Sequence, residues 1–175
     1  DPAAGQSATI LNSTITGNTS ADGGGGGVFV YRGDVLIQHS TITLNTAPAG
    51  RGSGVASRSN GNVTTRIESS IVSGNTGSDV DHVMYNASDD TVNSFATNGH
   101  NLIGTGSSLP AFTANGDQTG VANPQLAPLA NNGGRTQTHA LLDASPAVNA
   151  GDPNSQPSTN FDQRGTGFVR VRGGR

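Results

Sequence analysis

Three stretches of the chain repeat one pattern: residues 10–19 read ILNSTITGNT, residues 37–46 read IQHSTITLNT and residues 67–76 read IESSIVSGNT. The asparagine near the end of each stretch, at positions 18, 45 and 75, recurs after 27 and then 30 residues. A fixed period of about 20 to 50 residues is typical of repeat architectures, in which each unit stacks on the next. The first half of the chain is therefore predicted to be a solenoid.

Apolar residues within a unit follow the two-residue period of strands that bury one face. Ala8 and Ile10 form one such pair, and Val28 and Val30 form another. The step from Ile10 to Ile15 breaks this period, which indicates a bend between two strands. Each unit therefore reads as three short strands joined by bends. The predicted fold class is all-β: a right-handed parallel β-helix (solenoid) of about three to four coils with an irregular C-terminal cap.

Stacking the units puts equivalent side chains of successive coils on top of one another. We expect a structural ladder at Asn18, Asn45 and Asn75, because stacked asparagines can bond through their side-chain amides. The alternative is that these asparagines are solvated turn residues. The core is expected as two columns of stacked apolar side chains: Ile10, Ile37 and Ile67 in one, and Ile15, Ile42 and Val72 in the other.

The repeat divides the chain into two parts. Coils are predicted over residues 1–104, with units near 8–34, 35–64 and 65–90 and a less regular unit at 91–104. Six of the eight prolines follow residue 104, and proline does not fit a central strand. An open solenoid end presents unpaired backbone groups. Residues 105–175 are therefore predicted to form a capping region of loops and short strands.

The composition excludes several classes of function. The chain contains no cysteine and no lysine, which excludes disulfides, thiolate metal sites and lysine Schiff-base chemistry. Its formal net charge is −3, and a polybasic tract for nucleic acid is absent, so no nucleic-acid partner is expected. No stretch approaches the roughly 18 apolar residues of a membrane-spanning helix, so no membrane span is expected in this chain.

Acidic residues are few, and one segment holds four of them close together. Asp79 and Asp81 flank Val80, so in a strand they would point to the same side, and Asp89 and Asp90 follow on a predicted loop. These four are the candidate calcium ligands, and calcium is the one cofactor considered. The favoured alternative is a solvated insertion in which aspartates form turns. No catalytic residue is assigned, because the pattern pairs no two carboxylates on equivalent positions of neighbouring coils.

The motifs of the chain occur in an order that resembles a known family. They are NSTITGN at 12–18, GHNLIG at 99–104, NNGG at 131–134, TQTHALL at 136–142, SPAVNAG at 145–151 and DQRG at 162–165. This order is similar to the C-terminal part of bacterial right-handed parallel β-helix surface proteins with choice-of-anchor ends, akin to polymorphic outer-membrane proteins. The resemblance implies that His139, Asp162 and Arg164 belong to cap motifs. In that family a terminal strand follows DQRG, and its absence here implies truncation, processing or a strand supplied by a partner.

The resemblance implies a secreted or cell-surface protein, bacterial in origin. We expect a non-enzymatic structural or adhesive module, either a rigid stalk or a subunit of a surface fibre assembled through its open ends. Its partners would be further copies of the chain or another part of the same surface protein, with glycans as a further candidate. The alternative is a polysaccharide-binding or polysaccharide-cleaving (lyase or hydrolase) β-helix fragment. Only two tyrosines and no tryptophan are available as sugar platforms, which argues against it.

Overall fold

The computed structural model describes residues 7–21, 23–58, 64–86, 94–154 and 160–170. Within these ranges the chain forms eleven short strands and one 3-10 turn, and no helix there is long and apolar enough to cross a membrane. The strands are β1 (Ser7–Leu11), β2 (Thr14–Thr16), β3 (Val28–Val30), β4 (Asp34–Gln38), β5 (Thr41–Thr43), β6 (Val55–Ser57), β7 (Thr65–Glu68), β8 (Ile71–Val72), β9 (Val80–His82), β10 (Phe95–Gly99) and β11 (Leu102–Ile103). The 3-10 turn is Leu109–Ala111.

The strands form three parallel sheets. Each of the first three coils contributes one strand to each sheet, and β10 and β11 add a fourth strand to two of them. The sheet orders are β1-β4-β7-β10, β2-β5-β8-β11 and β3-β6-β9. Neighbours in every sheet pair in parallel, with Ile10 aligned on Ile37 and Ile37 aligned on Ile67. The chain is therefore an all-β parallel solenoid of about three turns, which confirms the predicted fold class.

The bend between the first and second strand of each coil has one conformation throughout. Asn12, His39, Ser69 and His100 occupy this corner, with φ angles of 50°, 50°, 46° and 56°. This left-handed backbone region is uncommon for residues other than glycine, but Asn and His enter it more readily than most. The odd step from Ile10 to Ile15 is thus explained by a left-handed corner between the two strands.

The core consists of columns of aliphatic side chains that point into the solenoid. Ile37, Ile42, Ile67 and Val72 are all fully buried, in the two predicted columns. Val28, Val55 and Val80 align as a third column in the sheet β3-β6-β9. Burying each such side chain contributes about 1.5 to 3 kcal/mol. Ile10, Ile15 and Val28 in the first coil pack on this core but are only partly buried.

The C-terminal end of the stack is covered by residues 104–121. Thr105 accepts hydrogen bonds from the backbone of β9 at Val80, and Gln118 pairs with β11 at Leu102. The ring of Phe112 packs on Phe95 of β10, with 6.0 Å between ring centroids. Each of the three sheets therefore meets covering residues at this end.

The following residues, 121–154 and 160–170, do not lie over the end but along the side of the solenoid. This returning segment contacts the outward-facing side chains of the sheet β2-β5-β8-β11. Thr14 donates to Gln163, and Asn12 is bonded to Arg170. At the other end of the sheet, His100 contacts the carbonyl of Ala150. The region predicted as a cap thus has two parts, an end cover and a segment that returns to the first coil.

Candidate functional site

The three repeated asparagines form a continuous ladder of hydrogen bonds. Nδ2 of Asn18 donates to Oδ1 of Asn45 over 2.9 Å, and Nδ2 of Asn45 donates to Oδ1 of Asn75 over 2.9 Å. The backbone N–H of each asparagine donates to the same oxygen as its side chain. Nδ2 of Asn75 then donates to Oδ1 of Asp79 over 2.7 Å. We call these four residues the Asn ladder.

A second ladder runs through the left-handed corners at the other end of the same strands. The backbone N–H of Ser13 donates to Oγ of Ser40, that of Ser40 to Oγ of Ser70, and that of Ser70 to Oδ1 of Asn101. Asn101 donates from its backbone and its side chain to Oδ1 of Asp117. We call these residues the Ser ladder. The sequence analysis missed it, although the serines recur at the same 27- and 30-residue spacings as the asparagines.

Both ladders have the same polarity and the same kind of terminus. Every rung donates towards the C-terminal end, so the last rung must accept without donating onward. An ionised carboxylate only accepts hydrogen bonds, which suits it to this place. Oδ2 of Asp79 accepts from the backbone of Thr105 over 2.7 Å, and Oδ2 of Asp117 accepts from Thr97 over 2.8 Å and from Ala114 over 3.1 Å.

Two of the candidate calcium ligands, Asp79 and Asp81, are buried, and their carboxylate oxygens already accept hydrogen bonds. Burial raises the pKa of Asp79, and hydrogen bonds from Thr105 and Asn75 oppose that rise without cancelling it. For Asp81, burial alone would raise the pKa, but hydrogen bonds from Ser107 and other neighbours lower it overall. Asp89 and Asp90 lie outside the described residues. In the described ranges no three histidine or acidic side chains come together to hold a metal ion.

The residues of the cap motifs hold the returning segment in place. Nδ1 of His139 lies 2.8 Å from the carbonyl of Ala127, and its Nε2 lies 3.1 Å from Oγ1 of Thr16 in the first coil. Arg164 and Asp162 form an ion pair at 2.7 Å within one turn. Burial raises the pKa of Asp162, but the hydrogen bonds and charge of Arg164 outweigh it and lower the pKa overall.

A cavity of about 210 Å³ lies between the corners of the coils and the returning segment. Its walls include His39, His100, Leu141, Asp152 and Arg170. Nε2 of His39 is buried there without a hydrogen-bond partner. Burial first, and then the charge of Arg170, lower the pKa of His39 to about 4, against an opposing effect of Glu68. The imidazole of His39 is therefore neutral at pH 7.

A group of exposed aromatic side chains with exposed and half-buried arginines lies on the outer side of the sheet β3-β6-β9. We call it the aromatic–arginine cluster, and its members are Phe29, Tyr31, Arg32, Arg51, Arg58 and Tyr85. Sequence reasoning counted the two tyrosines but did not bring them together. One signal was present, because the offset of 27 residues that aligns Val28 with Val55 also relates Tyr31 to Arg58.

Comparison with known proteins gives no match: no family model, no curated protein and no solved structure matches this chain.

Proposed function

We propose that this chain is a non-enzymatic structural and adhesive module of an extracellular surface protein. The observation that carries the proposal is the pair of ladders, which tie the described coils into one hydrogen-bonded stack. Coils of a solenoid contact only their neighbours, so the bonds between coils determine how rigid the stack is. Two continuous ladders beside aliphatic columns that are fully buried in the second and third coils suit a rigid spacer. The motif resemblance supports a location at a bacterial surface.

The acidic side chains support a structural role over a polysaccharide-cleaving one. Backbone N–H groups of a neighbouring coil or of the end cover donate to Asp79, Asp81 and Asp117. Oδ1 of Asp34 accepts from the backbone of the next coil, and Glu68 is bonded to side-chain amides on both sides. Glycosidic cleavage needs an acid and a base available to the substrate. These carboxylates instead join coil to coil.

The C-terminal end of the solenoid is covered, which limits the surfaces through which two copies could associate. A head-to-tail fibre requires two complementary open ends. Residues 104–121 cover the last strands, and the carboxylates of Asp79 and Asp117 cannot donate to a further rung. The first coil is more exposed, and Ser7, Ala8 and Thr9 of β1 are open to solvent. We therefore propose that association uses the first coil, against another part of the same surface protein or a second copy.

Adhesion under flow, combined with product analysis, tests the proposal. Beads coated with the chain are passed over surfaces carrying mucin, neutral polysaccharide or acidic polysaccharide, and the fluid is assayed for new reducing ends and unsaturated sugars. We expect beads to be retained on at least one surface while the polysaccharide stays intact. Beads coated with heat-unfolded chain are the control. Release of sugar products that grows with time, or no retention on any surface, would show that the proposal is wrong.

A further inference from the structure

The aromatic–arginine cluster is a broad exposed platform. Phe29, Tyr31 and Tyr85 are 42%, 43% and 39% exposed, which is unusual for three large rings in contact. The ring centroid of Phe29 lies 6.4 Å from that of Tyr31 and 6.2 Å from that of Tyr85. Phe29 belongs to β3 and Tyr85 follows β9, so the platform extends from the first to the third coil.

Three arginines lie against these rings. The guanidinium carbon of Arg58 lies 4.9 Å from the ring centre of Tyr31 and 5.0 Å from that of Tyr85. Arg51 lies 4.3 Å from the centre of Tyr85, and Arg32 lies 5.1 Å from the centre of Tyr31. These are three of the nine basic residues in a chain whose net charge is −3. In the part of the chain that is described, neither Arg32 nor Arg51 forms an ion pair. Stacking on the rings holds the guanidinium groups in place at the surface.

We propose that the aromatic–arginine cluster binds an acidic polysaccharide, one that carries carboxylates on its sugar rings. The exposed ring of Phe29, over which no arginine of the described residues stacks, offers a flat apolar surface for the apolar face of a sugar, and the two tyrosine rings hold the arginines beside it. Guanidinium groups bind carboxylates with two parallel hydrogen bonds, which a neutral sugar does not offer. The inference rests on the proposed adhesive function and supplies its ligand class.

The charge distribution favours this ligand over nucleic acid. Nucleic-acid affinity grows with the number of phosphates that basic residues neutralise, and proteins that bind it on aromatic platforms combine them with a strongly positive groove. Three arginines on an otherwise acidic chain supply little of that attraction. A polymer with one carboxylate per sugar needs only one cation for each sugar bound, and Arg32 beside Tyr31 and Arg51 beside Tyr85 supply two such cations.

Binding of polygalacturonate to the intact chain, measured by isothermal titration calorimetry, tests the inference. Fully methyl-esterified polygalacturonate is the matched ligand, because esterification removes the charge and keeps the sugar, and a single-stranded oligothymidine is the second comparison. We expect polygalacturonate to bind about tenfold or more tightly than its ester, because a hydrogen bond to a charged group is lost. Equal affinity for the ester, or preference for the oligonucleotide, overturns the proposal.

Matched variants locate the binding to the cluster. Arg51→Gln removes one charge and Tyr85→Ala removes one ring, and each is expected to weaken binding about tenfold. Arg135→Gln changes an exposed arginine on the returning segment and is expected to leave the affinity within about twofold. Thermal unfolding checks that each variant folds, and Arg32→Gln replaces Tyr85→Ala should the latter unfold. Wild-type affinity in Arg51→Gln overturns the proposal.

Two outcomes separate this inference from the proposed function. If beads adhere to other surfaces while polygalacturonate does not bind, the ligand class is wrong and the adhesive module stands. If polygalacturonate binds but releases unsaturated products, the non-enzymatic function is wrong and the ligand class stands.

Discussion

Single residues in the ladders connect three coils at once, and Asn45 is the central case. It is fully buried, its Oδ1 accepts from the backbone and side chain of Asn18, and its Nδ2 donates to Oδ1 of Asn75 and to the carbonyls of Ile15 and Thr43. Replacing Asn45 therefore removes side-chain hydrogen bonds to both neighbouring coils and takes the donor away from the carbonyls of Ile15 and Thr43. The combined cost of these losses exceeds the value of one hydrogen bond.

We predict that Asn45→Ala lowers the free energy of unfolding by about 2 to 4 kcal/mol, since several hydrogen bonds at a buried position are lost together. Asn18→Ala is the matched control at the exposed end of the same ladder, where we expect a loss of about 1 kcal/mol. Urea denaturation of both variants, followed by circular dichroism, measures the difference. If Asn45→Ala lowers the free energy of unfolding no more than Asn18→Ala does, the prediction that Asn45 stabilises three coils at once is wrong.

His39 gives the fold a dependence on acid. Its pKa is about 4 in the folded chain and 6.5 by the ordinary value. As pH falls from 6.5 towards 4, the unfolded chain binds a proton that the folded chain does not, so stability falls in that window. We predict that His39→Asn loses less melting temperature between pH 7 and pH 4.5 than the wild type. Asparagine fits this corner, because Asn12 adopts the same φ of 50° one coil earlier.

Melting temperatures of both proteins at pH 7 provide the control for that comparison, since neither imidazole nor amide is charged there. Equal acid-induced losses in the two proteins would show that His39 is not the group responsible.

At the scale of the element, the Asn ladder ends on a residue that accepts hydrogen bonds without donating, Asp79. Asp79 accepts on both of its oxygens, from Asn75 on one and from Thr105 on the other. An asparagine would place an N–H₂ group against one of these donors. We predict that Asp79→Asn costs about 1 to 3 kcal/mol, whereas Asp143→Asn, at an exposed position, costs less than about 0.5 kcal/mol.

Hydrogen exchange localises the effect of Asp79→Asn. The amides of Asn75 and Thr105 are expected to exchange faster in the variant, while that of Asn101 in the Ser ladder keeps its protection. Uniformly faster exchange in both ladders would mean that the carboxylate supports the whole stack rather than one ladder.

The coils could be predicted from the sequence because their contacts repeat. Ile37 stacks on Ile67 and Asn45 on Asn75 at the same 30-residue offset, so one spacing predicts both the core and the Asn ladder. The Ser ladder has that spacing too, but serine is common in turns, and its Oγ gives no sign from sequence that it accepts from the next coil.

The contacts of the returning segment could not be predicted, because they follow no period. Asn12 meets Arg170 across 158 residues, and no spacing in the irregular second half relates the two. The 27-residue offset relates Tyr31 to Arg58, but the rest of the exposed cluster could not be predicted from it. Tyr31 follows β3 and Tyr85 follows β9, and Arg58 lies against both rings. The distances between their rings depend on loop paths that residue types alone do not specify.

At the scale of the whole molecule, the two ends of the solenoid differ. The C-terminal end is covered by residues 104–121, whereas the strands of the first coil are more exposed. We predict that the chain is monomeric at micromolar concentration and forms at most pairs when concentrated, because one open face cannot propagate a fibre. Light scattering after size-exclusion chromatography, with electron microscopy of the concentrated protein, measures this. Regular fibres would show that the covered end also takes part in assembly.

Because all rungs of both ladders donate in the same direction along the stack, coils can be added by duplication within the coding sequence. Asn45, Ser40 and Ser70 each accept from the coil before them and donate to the coil after them. An in-frame duplication of the 27 or 30 residues between rungs therefore adds one complete coil, about 4.8 Å of rod, with no unmatched group. A duplication that includes Asp79 or Asp117 would instead place a carboxylate in the middle of the stack. A carboxylate cannot donate to the acceptor oxygen of the next rung. The number of coils that precede the two aspartates can therefore change without breaking the ladders, and the length of the solenoid can evolve one coil at a time.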